Sequence, residues 1–167
     1  MSRETQGDGR IEVSGTVLGA GETLADDARI AIVCSRYHSH VMQLLLDGAI
    51  ATATEQGVAY DVILSEGAFE LGILSLEAAA TGTYVGVAAL GCVIRGDTSH
   101  YDYVCSETAR GILEAGLQTG VPVTFGVITC ETAEQAFARA GGEAGNKGSE
   151  AVSTALATAR TLAAIRR

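Results

Sequence analysis

Tryptophan is absent from this sequence, proline occurs once, and aromatic residues make up only 5% of the chain. This composition disfavours an aromatic-rich β-sandwich, and the many alanines and glycines favour helices packed closely on a sheet. No apolar run approaches the length needed to cross a membrane, and the first residues lack the apolar core of a signal peptide. We therefore expect a cytoplasmic protein with no membrane segment.

Basic residues are scarce as well. The chain has 11 lysines and arginines against 20 aspartates and glutamates, and its net charge is −9. A non-specific interaction with nucleic acid or with an anionic membrane is therefore disfavoured. If the ligand is an anion, the positive charge that binds it must be local.

The sequence also lacks the usual metal and nucleotide motifs. None of the four cysteines, Cys34, Cys92, Cys105 and Cys130, forms a CxxC pair, and their spacings do not match a zinc site. We expect them to be reduced and mostly buried. Neither GxxxxGK[ST] nor GxGxxG follows the first predicted strand, which disfavours nucleotide binding by either device.

What the sequence does have is a regular alternation of strand and helix patterns. The 167 residues fit one domain, with residues 1–28 predicted as a polar arm or tail and residues 29–167 as an α/β domain. Apolar runs predict strands at 29–35, 60–64, 84–91 and 122–129, and helical apolar stripes lie between and after them. Glycines at 57 and 82 are natural helix stops, and Thr132 with Gln135 forms a capping-box pattern before a short helix.

Short connections between parallel strands require helical crossovers, so the pattern predicts a four-stranded parallel sheet with helices on both faces. Ligands of such sheets bind outside the carboxyl ends of the strands. That rule selects four segments: 35–40, 65–70, 91–100 and 128–132.

The third of these segments runs into "GDTSHYD", residues 96–102, where a strand gives way to a helix. A helix start binds anions, Gly96 allows a close backbone approach, and Thr98 can donate its hydroxyl to a phosphate. His100 can exchange a proton near neutral pH. The local alternative is a helix capped by Thr98 or Ser99 that carries a solvated His100.

The other segments offer weaker candidates. Tyr37 can stack on a flat heterocycle or simply cover the edge of the core, and Glu70 can accept from ligand hydroxyls or serve as a first-turn carboxylate. Arg139 and Lys147 flank the turn "GGEAGNKG", where they can supply local positive charge or merely be solvated.

The order of these signals resembles lumazine synthase, the penultimate enzyme of riboflavin biosynthesis. The resemblance runs from about residue 28 to the C-terminus and is carried by "SRYHSHVMQLLLDGA", "GAFEL", "ALGCVIRGDTSHYDYVCSETARGI", "PVTFGVITCETAEQAFARAG" and "AGNKGSEAV". It implies the three-layer α/β/α flavodoxin-like fold. It also implies the condensation of 5-amino-6-(D-ribitylamino)uracil with 3,4-dihydroxy-2-butanone 4-phosphate to 6,7-dimethyl-8-ribityllumazine, phosphate and water, without metal or cofactor.

The resemblance also implies residue roles. His100 matches the catalytic histidine, and the phosphate-binding positions are Asp97 (through its backbone), Thr98 and Arg139. The substrate-binding positions are Tyr37, Ala68, Phe69, Glu70, Val93, Ile94, Phe125 and Lys147. Of these residues, Arg139, Phe125 and Lys147 would reach the site of a neighbouring subunit.

Two departures stand at the second strand end, where the family commonly reads P-G-A-x-E-I-P and this chain has Glu66 and Gly72 in place of the prolines. They leave open a non-catalytic flavin- or lumazine-binding paralogue. Family members form pentamers, and some form 60-subunit shells. The short "GGEAGNKG" turn favours a shell, which leaves open a compartment role with riboflavin synthase as a candidate partner.

Overall fold

A computed structural model describes residues 11, 13–19 and 21–167 of the chain. Its central sheet has four parallel strands in the order β2-β1-β3-β4, and the parallel arrangement agrees with the sequence pattern. The strands are β1 (Arg29–Ser35), β2 (Ala59–Ser65), β3 (Gly86–Ile94) and β4 (Val123–Cys130). The helices are α1 (Ser39–Glu55), α2 (Leu71–Ala80), α3 (His100–Thr119), α4 (Ala133–Arg139) and α5 (Lys147–Ile165).

The helices cover both faces of the sheet and create two apolar layers. Helices α1, α4 and α5 pack on one face, around a cluster that includes Ile32, Leu45 and Leu156. Helices α2 and α3 pack on the other face, around Val33, Leu71 and Ile112. This is the three-layer α/β/α architecture of flavodoxin-like folds, which confirms the predicted fold class.

The burial of each strand agrees with its central or edge position in the sheet. Strands β1 and β3 are buried along nearly their whole length, since they are central and carry apolar residues on both faces. Strand β2 is an edge strand with exposed positions, among them Leu64, and β4 is the opposite edge with Phe125 exposed. The sheet therefore presents apolar side chains at both edges.

The element boundaries differ from the sequence pattern in two informative places. The pattern ends the third strand at Gly91, but β3 runs to Ile94 because the ladder to β4 continues from Gly91↔Val127 to Ile94↔Cys130. The Gly-rich turn contains a small antiparallel hairpin, β5 (Ala140–Gly142) and β6 (Gly145–Asn146). Gly57 has a φ of 67° just beyond α1, the left-handed conformation that ends a helix, as predicted.

The predicted arm, residues 1–28, lies partly outside the described residues, so that assignment stays a prediction. Within the described ranges, Leu24 is partly buried against the core, and β1 is the first regular element. In the same ranges, no helix is both long and apolar enough to cross a bilayer.

Candidate active site

A cavity of about 350 Å³ opens at the carboxyl ends of β1, β2 and β3. Three of the four segments selected by the strand-end rule contribute to it. Its lining consists of Tyr37, His38, Gly67, Ala68, Phe69, Cys92, Val93, Ile94, Gly96, Thr98, His100, Tyr101 and Val104. The lining is mainly apolar, with a few polar groups that converge on one side, as expected of a small-molecule site.

The polar side is the junction of β3 and α3. His100 is the first residue of α3, and the Thr98 hydroxyl accepts a hydrogen bond from the His100 amide at 3.3 Å. Ser99 is the N-cap residue of α3 and makes no side-chain cap bond, so the predicted side-chain cap does not form, and Thr98 lines the cavity with His100. The junction therefore joins a hydroxyl, an imidazole and the positive end of a 20-residue helix.

An aromatic pair forms the wall on the β1 side. The Tyr37 ring lies edge-on to His38 with centroids 4.7 Å apart, and Tyr37 is 67% exposed. His38 has a φ of 61°, a left-handed conformation that few side chains adopt, and it is the N-cap residue of α1. Partial burial lowers the pKa of His38, which favours a neutral imidazole beside the cavity.

The β2 side is a short loop that holds its own shape. The Glu70 carboxylate accepts from the Gly67 amide at 3.1 Å, and Ser65 Oγ donates to the Gly67 carbonyl at 2.8 Å. Glu66, one of the two departures from the family pattern, accepts from Arg36 at 3.1 Å. The Glu66 carboxylate thus points to Arg36 at the rim of the sheet. Over the described residues Glu66 does not line the cavity, whereas Ala68 and Phe69 do.

Cys92 lines the floor of the cavity, which raises the question of nucleophilic catalysis. Burial, reinforced by the neighbouring Cys130, raises the pKa of the Cys92 thiol to about 12. A thiol with that pKa is protonated at neutral pH and is a poor nucleophile. Cys34 is likewise buried with a raised pKa of about 11, and both cysteines act as core residues.

The family described as 6,7-dimethyl-8-ribityllumazine synthase matches residues 27–163, a span that contains the whole sheet and every residue of the cavity. The chain belongs to the lumazine synthase family. Its membership confirms the resemblance predicted from sequence and associates the protein with riboflavin biosynthesis.

Five family positions lie outside the cavity of their own chain, judged over the described residues: Glu70, Asp97, Phe125, Arg139 and Lys147. Phe125 and Lys147 instead line a separate surface hollow of about 190 Å³ on β4 and α5, where the Lys147 ammonium lies 2.6 Å from Glu150. Arg139 ends α4 and donates to the Gln135 carbonyl at 3.0 Å. The single chain thus separates Tyr37, Phe69 and His100 from Arg139 and Lys147.

Sequence reasoning left several lining residues without a role, namely His38, Gly67, Cys92, Tyr101 and Val104. His38, Gly67 and Cys92 lie within the segments that the strand-end rule selects. Tyr101 and Val104 lie one and four residues beyond the third segment, so extending it by one helical turn would include them. The fourth segment, 128–132, does not line the cavity, although its Glu131 contacts Arg95, the residue just before Gly96.

Proposed function

We propose that this protein condenses 5-amino-6-(D-ribitylamino)uracil with 3,4-dihydroxy-2-butanone 4-phosphate to form 6,7-dimethyl-8-ribityllumazine, with release of phosphate and water. One observation carries the proposal. A single cavity brings together an aromatic wall at Tyr37 and Phe69, open strand backbone at Val93 and Ile94, and a helix start that bears Thr98 and His100.

The pyrimidine half of the reaction fits the apolar side of the cavity. A flat ring stacked on Tyr37 places its edge against the β3 backbone, where main-chain groups can bond the ring's amide edges. The ribityl chain then extends toward Ala68 and Phe69, with Glu70 available to accept from its hydroxyls if it releases the Gly67 amide.

The phosphate half fits the start of α3. The phosphate binds to the backbone amides after Gly96, including that of Asp97, and to the Thr98 hydroxyl, where the helix dipole stabilises an anion. A neighbouring subunit supplies Arg139, whose planar guanidinium matches a phosphate. In a chain of net charge −9, this local cation is the expected partner of an anionic substrate.

His100 performs the proton transfers. It lines the cavity two residues beyond Thr98, so it is adjacent to a substrate whose phosphate lies at the helix start. From there it takes and returns protons during Schiff-base formation, phosphate elimination and ring closure. Most of the rate acceleration comes from holding two substrates in register, which requires few essential side chains.

The proposed site is completed by assembly. Arg139, Phe125 and Lys147 lie away from the cavity of their own chain, which supports their action in the site of a neighbour. We propose a homopentamer, and the short turn between α4 and α5 favours a 60-subunit shell of such pentamers. Such a shell is also compatible with a compartment role in which riboflavin synthase is the enclosed partner.

The proposal is tested by mixing the protein with both substrates and following the fluorescence of the lumazine product. Product formation well above the spontaneous rate is expected. The alternative, a non-catalytic flavin- or lumazine-binding paralogue, is motivated by the added charge of Glu66 at the rim. Tight flavin binding without product above background would establish that alternative and overturn the synthase.

A further inference from the structure

Arg95 occupies the last position before the loop that carries Thr98, and it contacts four other residues. Its Nη2 lies 3.0 Å from Asp102 Oδ1 in the first turn of α3, and its Nε lies 2.9 Å from Glu131 Oε2 just beyond β4. Its amide donates to the Cys130 carbonyl at 2.9 Å. Its guanidinium carbon lies 4.0 Å from the centre of the Tyr101 ring.

These contacts hold the residues next to His100, one of which, Tyr101, lines the cavity. Tyr101 and Asp102 are the two residues that follow His100, and Arg95 contacts both of their side chains. Over the described residues, Arg95 itself does not line the cavity. It is therefore placed to orient the helix start and not to bind substrate.

The same arginine connects to the helix that carries Arg139. Glu131, which accepts from Arg95, donates its amide to the Gln135 side chain at 2.9 Å. The Gln135 carbonyl in turn accepts from Arg139 at 3.0 Å. Arg95 thus bonds the side chain of Glu131, just before α4, and the backbone of that same residue is held by Gln135, whose own carbonyl accepts from Arg139.

Several contacts hold the Arg95 side chain in one position, in contrast to a single exposed ion pair. The side chain of Arg95 is 38% exposed, and its guanidinium bonds two carboxylates while it stacks on a ring. Its hydrogen bonds to Asp102 and Glu131 raise the pKa of Arg95 further above its ordinary value. A planar guanidinium bonds two carboxylates through a rigid fork of donors and stacks its face on a ring, a geometry that the compact ammonium of lysine does not reproduce.

We infer that Arg95 is a positioning residue that fixes the loop 96–99 and His100 on one side and the α4 segment that bears Arg139 on the other. This inference rests on the proposed function for its kinetic consequence. Because each subunit gives His100 to its own site and Arg139 to a neighbour's, Arg95 orients one functional group in each of two adjacent sites.

The test compares Arg95→Gln with wild type in steady-state kinetics and in hydrogen–deuterium exchange. A small misplacement of a catalytic group is costly, so kcat should fall by about tenfold to a hundredfold. The KM for the pyrimidine substrate should change by less than about twofold, because its contacts lie on Tyr37 and the β3 backbone. Amides of residues 96–102 should exchange faster while those of the sheet are unchanged. Arg95→Lys should give an intermediate kcat.

Arg110→Gln is the matched control, since Arg110 also pairs with two carboxylates, Glu107 and Glu114, but lies further along α3. It should leave kcat and the exchange of residues 96–102 unchanged. An Arg95→Gln protein that assembles normally, keeps kcat within about twofold of wild type and shows unchanged exchange in that segment overturns the inference.

If Arg95→Gln does not fold, Asp102→Asn and Glu131→Gln repeat the test with little change in volume. Each should lower kcat and loosen the segment, and unchanged values in both variants overturn the inference. The exchange measurement needs no substrate, so it still decides the positioning role if wild type shows no turnover. That outcome would count only against the proposed function.

Discussion

His100 and Arg139 perform different kinds of chemistry in the proposed reaction, and the single chain does not bring them into one cavity. His100 lies at a helix start on the cavity, whereas Arg139 ends a short helix and bonds a backbone carbonyl. The proposal assigns proton transfer to His100 and anion binding to Arg139. Their substitutions should therefore affect different kinetic constants.

Arg139→Ala should raise the KM for the phosphate-bearing substrate far more than His100→Ala does. A hydrogen bond to a charged group contributes about 1.5–3 kcal/mol, so the rise should be about tenfold to a hundredfold. His100→Ala should instead lower kcat with a smaller change in this KM. Steady-state kinetics at saturating pyrimidine substrate measures both, with Arg110→Ala as a surface control. An unchanged KM in Arg139→Ala would remove Arg139 from the phosphate site.

The residues of the cavity were predictable to the extent that they follow strand ends. Tyr37, Phe69 and His100 each lie just past a strand in the sequence, and parallel topology brings those ends together. The pairing of Arg95 with Glu131 was not predictable, because 36 residues separate the two and neither has a local pattern that indicates a partner. Only the register of β3 with β4 makes them neighbours.

Helix α5 begins at a side chain that also connects it to α1. Asn146 Oδ1 accepts from the amides of Gly148 and Ser149 at 2.9 and 3.1 Å. Its Nδ2 donates to the carbonyls of Leu44 and Ala140 at 2.8 and 3.2 Å. One amide group thus caps α5 and joins three elements.

Asn146→Ala should lower the free energy of unfolding by about 1–3 kcal/mol, because it removes an N-cap and leaves two carbonyls without their donor. Asn146→Ser is the matched control, since serine keeps a capping oxygen and loses the amide donors without adding a charge. It should cost less than the alanine variant. Denaturant unfolding measures both, and equal losses would show that the cap contributes nothing.

Gly72 replaces a proline of the family pattern and lies where α2 packs closely on α3. A Cβ at Gly72 would lie 3.0 Å from the Gly111 Cα, whereas a Cβ at Gly111 would lie 3.3 Å from the Gly72 Cα. The two helices therefore approach through glycine backbone. Over the described residues, Gly72 does not line the cavity, and its contact is with the Gly111 backbone of α3.

Gly72→Ala should destabilise the fold by about 1–3 kcal/mol through overpacking, less the helix-propensity gain of alanine. Gly111→Ala should cost less, because its contact is looser. Thermal unfolding of the two variants gives the comparison. A Gly72→Ala protein as stable as wild type would show that α2 can shift away from α3 freely.

Helices and strands were predictable because their apolar patterns are long and regular. The element boundaries were less predictable. The continuation of β3 past Gly91 depends on pairing with β4. The β5–β6 hairpin lies in a turn that has no strand pattern in the sequence. On α3, Leu113 and Leu117 are 62% and 75% exposed, so the helix carries more apolar surface than the single chain buries.

At the scale of the whole assembly, we expect subunit contacts to cover the exposed apolar side chains of α3 and the edge residue Phe125. We expect closed symmetry and a species no smaller than a pentamer. Sedimentation velocity at micromolar protein distinguishes the sizes. A boundary at the size of a 60-subunit shell would support the larger assembly, and a largest species of one pentamer would exclude the shell.

The central claim is that each active site combines His100 of one subunit with Arg139 of its neighbour, and co-assembly tests it most directly. His100→Ala and Arg139→Ala proteins are co-expressed in equal amounts, and lumazine formation is measured at a low concentration of the phosphate substrate. Random mixing should restore about a quarter of the sites to wild type, so activity should rise well above that of either variant alone. If both groups acted within one chain, no wild-type site would form and the mixture would show only the average of the two variants, which would contradict the account.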